Sequence, residues 1–182
     1  MKKTFVISVI LFSFLAGKAQ NQNEINGNPY EKNNEVTLNL FSPLMGAVEV
    51  SYERHLNKKS SLGSSFFYVY DTKLNPDLNY YASPYYRMYF GKKYSSGFFV
   101  EGFGVISSID GDKVFGTEDK STFTEKPDVF DLSLGVGLGG KWVTKGGLIY
   151  GANLGWGKQL FNSDKTDHDQ VVKFGINLGY RF

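Results

Sequence analysis

From Glu35 to Phe182 the chain alternates apolar and polar residues, broken at intervals by clusters of Gly, Pro, Asn, Asp, Ser and Lys. In the stretch VVKFGINLGYRF, residues 171–182, one parity reads Val172, Phe174, Ile176, Leu178, Tyr180, Phe182. The other reads Lys173, Gly175, Asn177, Gly179, Arg181. A period of two is that of a β-strand, whose successive side chains point to opposite faces. Eight such runs occur, near 35–42, 45–56, 61–71, 78–90, 97–108, 129–143, 147–160 and 171–182, and none shows a helical period. Runs of this length, joined in order by turn-like clusters, predict an all-β fold: an eight-stranded antiparallel up-and-down barrel.

The make-up of the two faces says which way they point. Residues 129–143 set Phe130, Leu132, Leu134, Val136, Leu138 and Trp142 against Asp131, Ser133, Gly135, Gly137, Gly139 and Lys141. Residues 147–160 set Leu148, Tyr150, Ala152, Leu154 and Trp156 against Gly151, Asn153, Gly155 and Gly157. Glycine weakens a strand unless close packing needs the space. A glycine-rich face suits the inside of an eight-stranded barrel, whose lumen is just filled by side chains. The large apolar face then points at lipid, which predicts a transmembrane barrel. A lipocalin-type barrel would turn that same face inward around a ligand, and the lumen is too narrow to hold it.

The connections agree. NKKS (57–60), GKKYSSG (91–97) and TKGG (144–147) read as short periplasmic turns. The stretches 72–78, 110–128 and 161–170 read as longer outer loops, with SPL (42–44) an unusually short one. Both termini are then expected in the periplasm. Tyr180, Phe182, Trp142, Tyr150 and Phe90 fall at the inner rim, and Tyr68, Tyr70, Tyr80, Phe130 and Trp156 at the outer, as two aromatic girdles require. A last strand ending on Phe182 is expected to close against the first, its apolar side covered by lipid.

The N-terminus has a separate logic. A basic MKK, an apolar TFVISVILFSFLAG and the small residues Gly17 and Ala19 read as a secretory signal peptide over 1–19. Polar, Asn-rich residues 20–34 read as a flexible periplasmic leader, with the barrel spanning 35–182. Removing Lys2, Lys3 and Lys18 turns the formal charge from +2 to −1, which argues against a nucleic-acid partner. The absence of cysteine excludes disulfides, zinc-thiolate sites and a thiol nucleophile.

The terminal alternation Phe174, Ile176, Leu178, Tyr180, Phe182 resembles the C-terminal signal by which bacterial outer-membrane barrels are recognised for insertion. SPYYRMYFG (83–91), GYRF (179–182) and the Ala-Gln signal junction resemble small barrels common in Bacteroidota genomes, many of them domains of unknown function, with an OmpA/OmpX-like architecture. The resemblance implies outer-membrane location, monomeric state and contact with outer-membrane lipids, lipopolysaccharide and the barrel-insertion machinery. It supplies no catalytic motif.

By parity the lumen receives Glu35, Glu49, Glu53, Glu101 and Asp131 with Arg87, Lys141, Lys173 and Arg181. Opposite charges in a dry lumen must pair, so an ion-pair network is expected, with Arg87 facing Glu101 and Arg181 facing Glu35. Placing Glu101 inside also places Phe99 and Phe103 there, an awkward load for a narrow barrel. His55, near a strand end, is expected at the interface. Ser163, Asp167 and His168, with Asp164 and Asp169, supply the residue types of a lipid-modifying hydrolase or acyltransferase. Their spacing is that of a generic hydrophilic loop. Neither these acids nor DGD (110–112) match a calcium loop, and no cofactor or metal is expected. The 110–128 connection, with Phe115 and Phe123, is long enough to contact a surface ligand. The expected role is structural or interactive, without an open pore or enzyme activity.

Overall fold

The computed structural model describes residues 32–74, 78–109, 113–115, 123–125, 129–160 and 170–182. Eight strands form a closed antiparallel barrel: β1 (Asn34–Asn39), β2 (Ala47–Asn57), β3 (Ser60–Val69), β4 (Leu78–Tyr89), β5 (Gly97–Ile109), β8 (Val129–Val143), β9 (Leu148–Gln159) and β10 (Gln170–Arg181). Each strand pairs with its neighbour in the chain, and β10 closes on β1. Two short strands, β6 (Lys113–Phe115) and β7 (Phe123–Glu125), pair with each other within the connection from β5 to β8.

Two features depart from the pattern-based expectation. The first strand ends at Asn39 rather than near 42, because Ser42–Met45 wind into a 3-10 turn with Pro43 at its start. The Ser42 hydroxyl donates to the Asn39 carbonyl (2.9 Å) and fixes that turn. The 110–128 connection contains the β6–β7 hairpin.

The outward face is predominantly apolar, with Arg54, Ser64 and Lys158 among its exposed polar positions. On β10, Val172, Phe174, Ile176, Leu178 and Tyr180 are exposed while Lys173, Gly175 and Arg181 are buried. Leu134, Val136, Leu138 and Trp142 on β8, and Leu148, Tyr150, Leu154 and Trp156 on β9, are exposed likewise. Strands of 12 to 15 residues in β4, β5 and β8–β10 exceed the roughly 9–11 that a tilted strand needs to cross a hydrocarbon core.

The inward face is less polar than the glycine count suggests. Phe67, Tyr85, Tyr89, Phe99, Phe103 and Val105 are all buried inside. Glycines on adjacent strands make the room. Phe103 on β5 is register partner to Gly135 on β8, and a Cβ at Gly155, one strand further, would lie 2.7 Å from Phe103 Cε1. Phe99 lies across Gly139 in the same way, with 2.5 Å from Cζ to such a Cβ, and Tyr85 across Gly63, also 2.5 Å. Rings from β4 and β5 thus occupy the space that a side chain on the neighbouring glycines would take. This packing accommodates Phe99 and Phe103 beside Glu101.

Candidate functional site in the lumen

The half of the lumen nearest the short turns holds a chain of alternating charges. Arg181 Nε donates to Glu35 Oε1 (2.6 Å), and Lys141 Nζ bridges Glu35 Oε2 (2.5 Å) and Glu53 Oε1 (2.7 Å). Arg87 continues it, with Nη1 to Glu53 Oε2 and Nε to Glu101 Oε2, both 2.7 Å. Tyr89 and Tyr85 donate their hydroxyls to Glu53 at 2.5 and 3.3 Å. The Arg87 guanidinium is sandwiched between the rings of Tyr85 (4.2 Å) and Phe99 (4.5 Å). Three carboxylates therefore meet two guanidinium groups and an amine, each pair buried and hydrogen-bonded, the condition under which buried ions are tolerated.

Strand pairing places two of these contacts directly. Glu35 is register partner to Arg181 across the β1–β10 closure, and Arg87 to Glu101 across the β4–β5 hairpin. Lys141 reaches Glu35 and Glu53 across the lumen, a contact that no local pairing supplies. Of the nine charged residues assigned to the lumen by parity, Glu35, Glu53, Arg87, Glu101, Lys141 and Arg181 form this chain. Glu49, Asp131 and Lys173 lie further along the barrel. Glu49 accepts from Asn39 Nδ2 (2.8 Å) and the Tyr81 hydroxyl (3.0 Å). Lys173 donates to Ser83 Oγ (2.9 Å) with its ammonium over Phe103. Asp131 is buried and accepts from the Leu132 backbone N–H.

His55 corrects the interfacial expectation. It is 4% exposed and lies inside, Nε2 2.9 Å from Glu35 Oε1 and Nδ1 3.7 Å from Glu53 Oε1. The strand continues to Asn57, so His55 keeps the inward parity of Glu53. That shared parity is the sequence signal that finds it. Glu35, Glu53 and His55 converge closely enough to suggest a metal site. The place a cation would take between the two carboxylates is filled by the Lys141 ammonium, so the donor set does not fit one.

The lumen is floored at this end by the turn between β4 and β5. Arg181 Nη1 and Nη2 donate to the carbonyls of Tyr94 and Ser95, both at 2.9 Å. Ser95 Oγ donates to Asn57 O and Ser96 Oγ to Lys141 O. Ser95 adopts a φ of 40°, and both serines are buried. The turn thus folds inward under the charge chain. Above it, a cavity of about 20 Å³ among Thr37, Ser51, Ser65, Asn153 and Asn177 has room for about one water molecule. Ser163, Asp164, Asp167, His168 and Asp169, like DGD (110–112), lie outside the described residues, as do the signal segment and nearly all of the leader.

No protein-family model and no curated protein matches the chain. Among solved structures it is similar to the Yersinia pestis outer membrane protein Ail in a phospholipid bilayer nanodisc. That likeness has 16% identity and a TM-score of 0.40, over 83% of this chain and 99% of that one.

Proposed function

We propose that the chain is an outer-membrane β-barrel with a structural or surface-interaction role and no open pore. The carrying observation is the pairing of a predominantly apolar exterior with a filled interior whose charges are paired. Val136, Phe98 and Val172 are each 66–70% exposed, and a surface of this kind all round a barrel is unstable in water. Every barrel strand pairs on both sides, as lipid demands of the backbone. Inside, the ion pairs and the inward-folded turn occupy the cross-section that a channel would need.

On this reading the N-terminal segment directs export and is cleaved, the termini face the periplasm, and Phe174, Ile176, Leu178, Tyr180 and Phe182 present the insertion signal. The barrel stands as a monomer in contact with outer-membrane lipids and lipopolysaccharide, and the 110–128 connection is the surface available to an external ligand. The test has two arms. The protein is expected in the outer-membrane fraction, released only by detergent, with different gel mobility before and after boiling. Reconstituted in planar bilayers it is expected to show no stable conductance. Recovery from the soluble fraction overturns the location, and a steady open channel overturns the closed lumen. A deletion strain profiled for envelope integrity and lipid A then tests the structural role.

A further inference from the structure

The connections at the two ends of the barrel differ in charge as well as length. Those at the short-turn end, 58–59, 90–96 and 144–147, carry Lys58, Lys59, Lys92, Lys93 and Lys145 and no acidic residue. Those at the opposite end, 70–77, 110–128 and 160–169, carry eleven Asp and Glu against five Lys. At the short-turn end Lys58, Lys59, Lys92 and Lys145 are exposed, and Arg54 projects from the outward face of β2 between Tyr52 and Leu56. Lys32 Nζ lies 5.6 Å from the centre of the Tyr180 ring. Among the described residues no acidic side chain is exposed there; Glu35, Glu53 and Glu101 are turned into the lumen.

These cations stand at the level of the exposed rings Phe90, Phe98, Trp142, Tyr150 and Tyr180. Rings of this kind mark the boundary between hydrocarbon and headgroup. A cation set beside them has its stem in the apolar layer and its charge among the phosphates. We propose that the short-turn end is a polybasic collar for anionic glycerophospholipid headgroups of the leaflet it meets. The proposal rests on the membrane reading above. Each added Lys or Arg near an anionic surface strengthens association by about fivefold, and the effect is screened by salt. The acidic excess at the other end disfavours the same lipids, so the molecule is electrically polarised across the bilayer.

The two tryptophans report on the two ends separately. Trp142 lies at the collar and Trp156 near the long connections, and both are exposed on the outward face. Trp156→Phe leaves the first as sole reporter, and Trp142→Phe the second. Each variant is refolded into phosphatidylcholine vesicles containing phosphatidylglycerol, with bromine on the acyl chains of one lipid or the other. Trp142 is expected to be quenched preferentially by the brominated phosphatidylglycerol, with a relative association constant of about three or more at low salt. That preference is expected to fall towards one at high salt, and in a Lys58→Glu, Lys59→Glu, Lys92→Glu, Lys145→Glu variant. Trp156 is expected to show none. Equal preference at both tryptophans, or a preference indifferent to salt, overturns the collar and leaves the cations to a soluble polyanion. Quenching of neither tryptophan by either lipid instead overturns the membrane reading, and the collar with it.

Discussion

At the scale of single residues, the lumen works by exchanging side-chain volume between neighbouring strands. Phe103 lies across Gly155, where the nearest obstacles to a Cβ are ring atoms of Phe103 at 2.7 and 3.2 Å. Gly155→Ala is therefore expected to cost about 1–3 kcal/mol by overpacking. The same substitution in a Phe103→Leu background is expected to cost much less. The check is a double-mutant cycle of urea unfolding in lipid vesicles, and additive effects would show that ring and glycine are not coupled. The charges obey a stricter rule. Lys141 is the shared donor to Glu35 and Glu53, so Lys141→Met leaves two buried carboxylates short of a cation and is expected to cost about 3–5 kcal/mol. Adding Glu53→Gln is expected to recover part of that loss, because Glu35 keeps Arg181 and Arg87 keeps Glu101. A double variant no more stable than the single one would argue that the cost comes from lost packing rather than from unpaired charge.

At the scale of elements, the turn between β4 and β5 is the clearest example of structure that strand periodicity does not reach. Alternation assigns the eight barrel strands and the lumen or outward facing of most of their described side chains, but not the β6–β7 hairpin. It places Arg87 opposite Glu101 because a short turn sets the hairpin register, and it puts Glu35 beside Arg181 once the last strand closes on the first. It leaves His55 on the same face as Glu53, a signal outweighed by proximity to the turn. Three things lie beyond it. Lys141 meets Glu35 and Glu53 across the lumen, which depends on the barrel's diameter and stagger. The rings of Phe99 and Phe103 fit inside because glycines elsewhere in the sequence leave space beside them. The turn at 94–96 folds inward because a closed barrel leaves a gap beneath its charge cluster. Arg181 is the tie that holds that turn, through two carbonyls. Arg181→Lys keeps a cation for Glu35 but loses the planar fork that reaches both carbonyls. The variant is expected to keep its barrel while amide hydrogen exchange at Tyr94–Ser96 rises by about tenfold or more, the equivalent of roughly 1.4 kcal/mol of local opening. Unchanged exchange would mean that the serine hydrogen bonds suffice without the guanidinium.

At the scale of the whole molecule, stability is set by the least-paired strand. β1 pairs with β10 over Glu35–Asn39, with backbone bonds one residue beyond at each end (Asn34 with Phe182, Leu40 with Ile176), and with β2 over Asn34–Leu38, whereas β5 and β8 pair along the whole of Gly97–Ile109. The β1–β10 seam is stapled at both ends. Glu35 and Arg181 hold one. At the other, the Asn39 amide donates to Phe174 O (3.0 Å) and its carbonyl oxygen accepts from the Ile176 N–H (3.1 Å). A barrel has no free edge until one ladder parts; the two ladders of β1 are equally short, but β2 is tethered to β1 by the 40–46 connection and β10 is not, so unfolding is expected to begin between β1 and β10. The absence of cysteine allows a direct test. Val36 and Tyr180 are outward-facing register partners in the seam, and Leu138 and Leu154 are the corresponding pair between β8 and β9. Oxidised Val36→Cys/Tyr180→Cys is expected to slow unfolding in urea by about tenfold or more relative to its reduced form, because that cross-link must stay shut in the transition state. Oxidised Leu138→Cys/Leu154→Cys is expected to change the rate little, since that ladder parts later. Equal slowing by both cross-links would mean that the barrel opens as a unit, and the staples at Glu35 and Asn39 would then matter no more than any other pair around the ring.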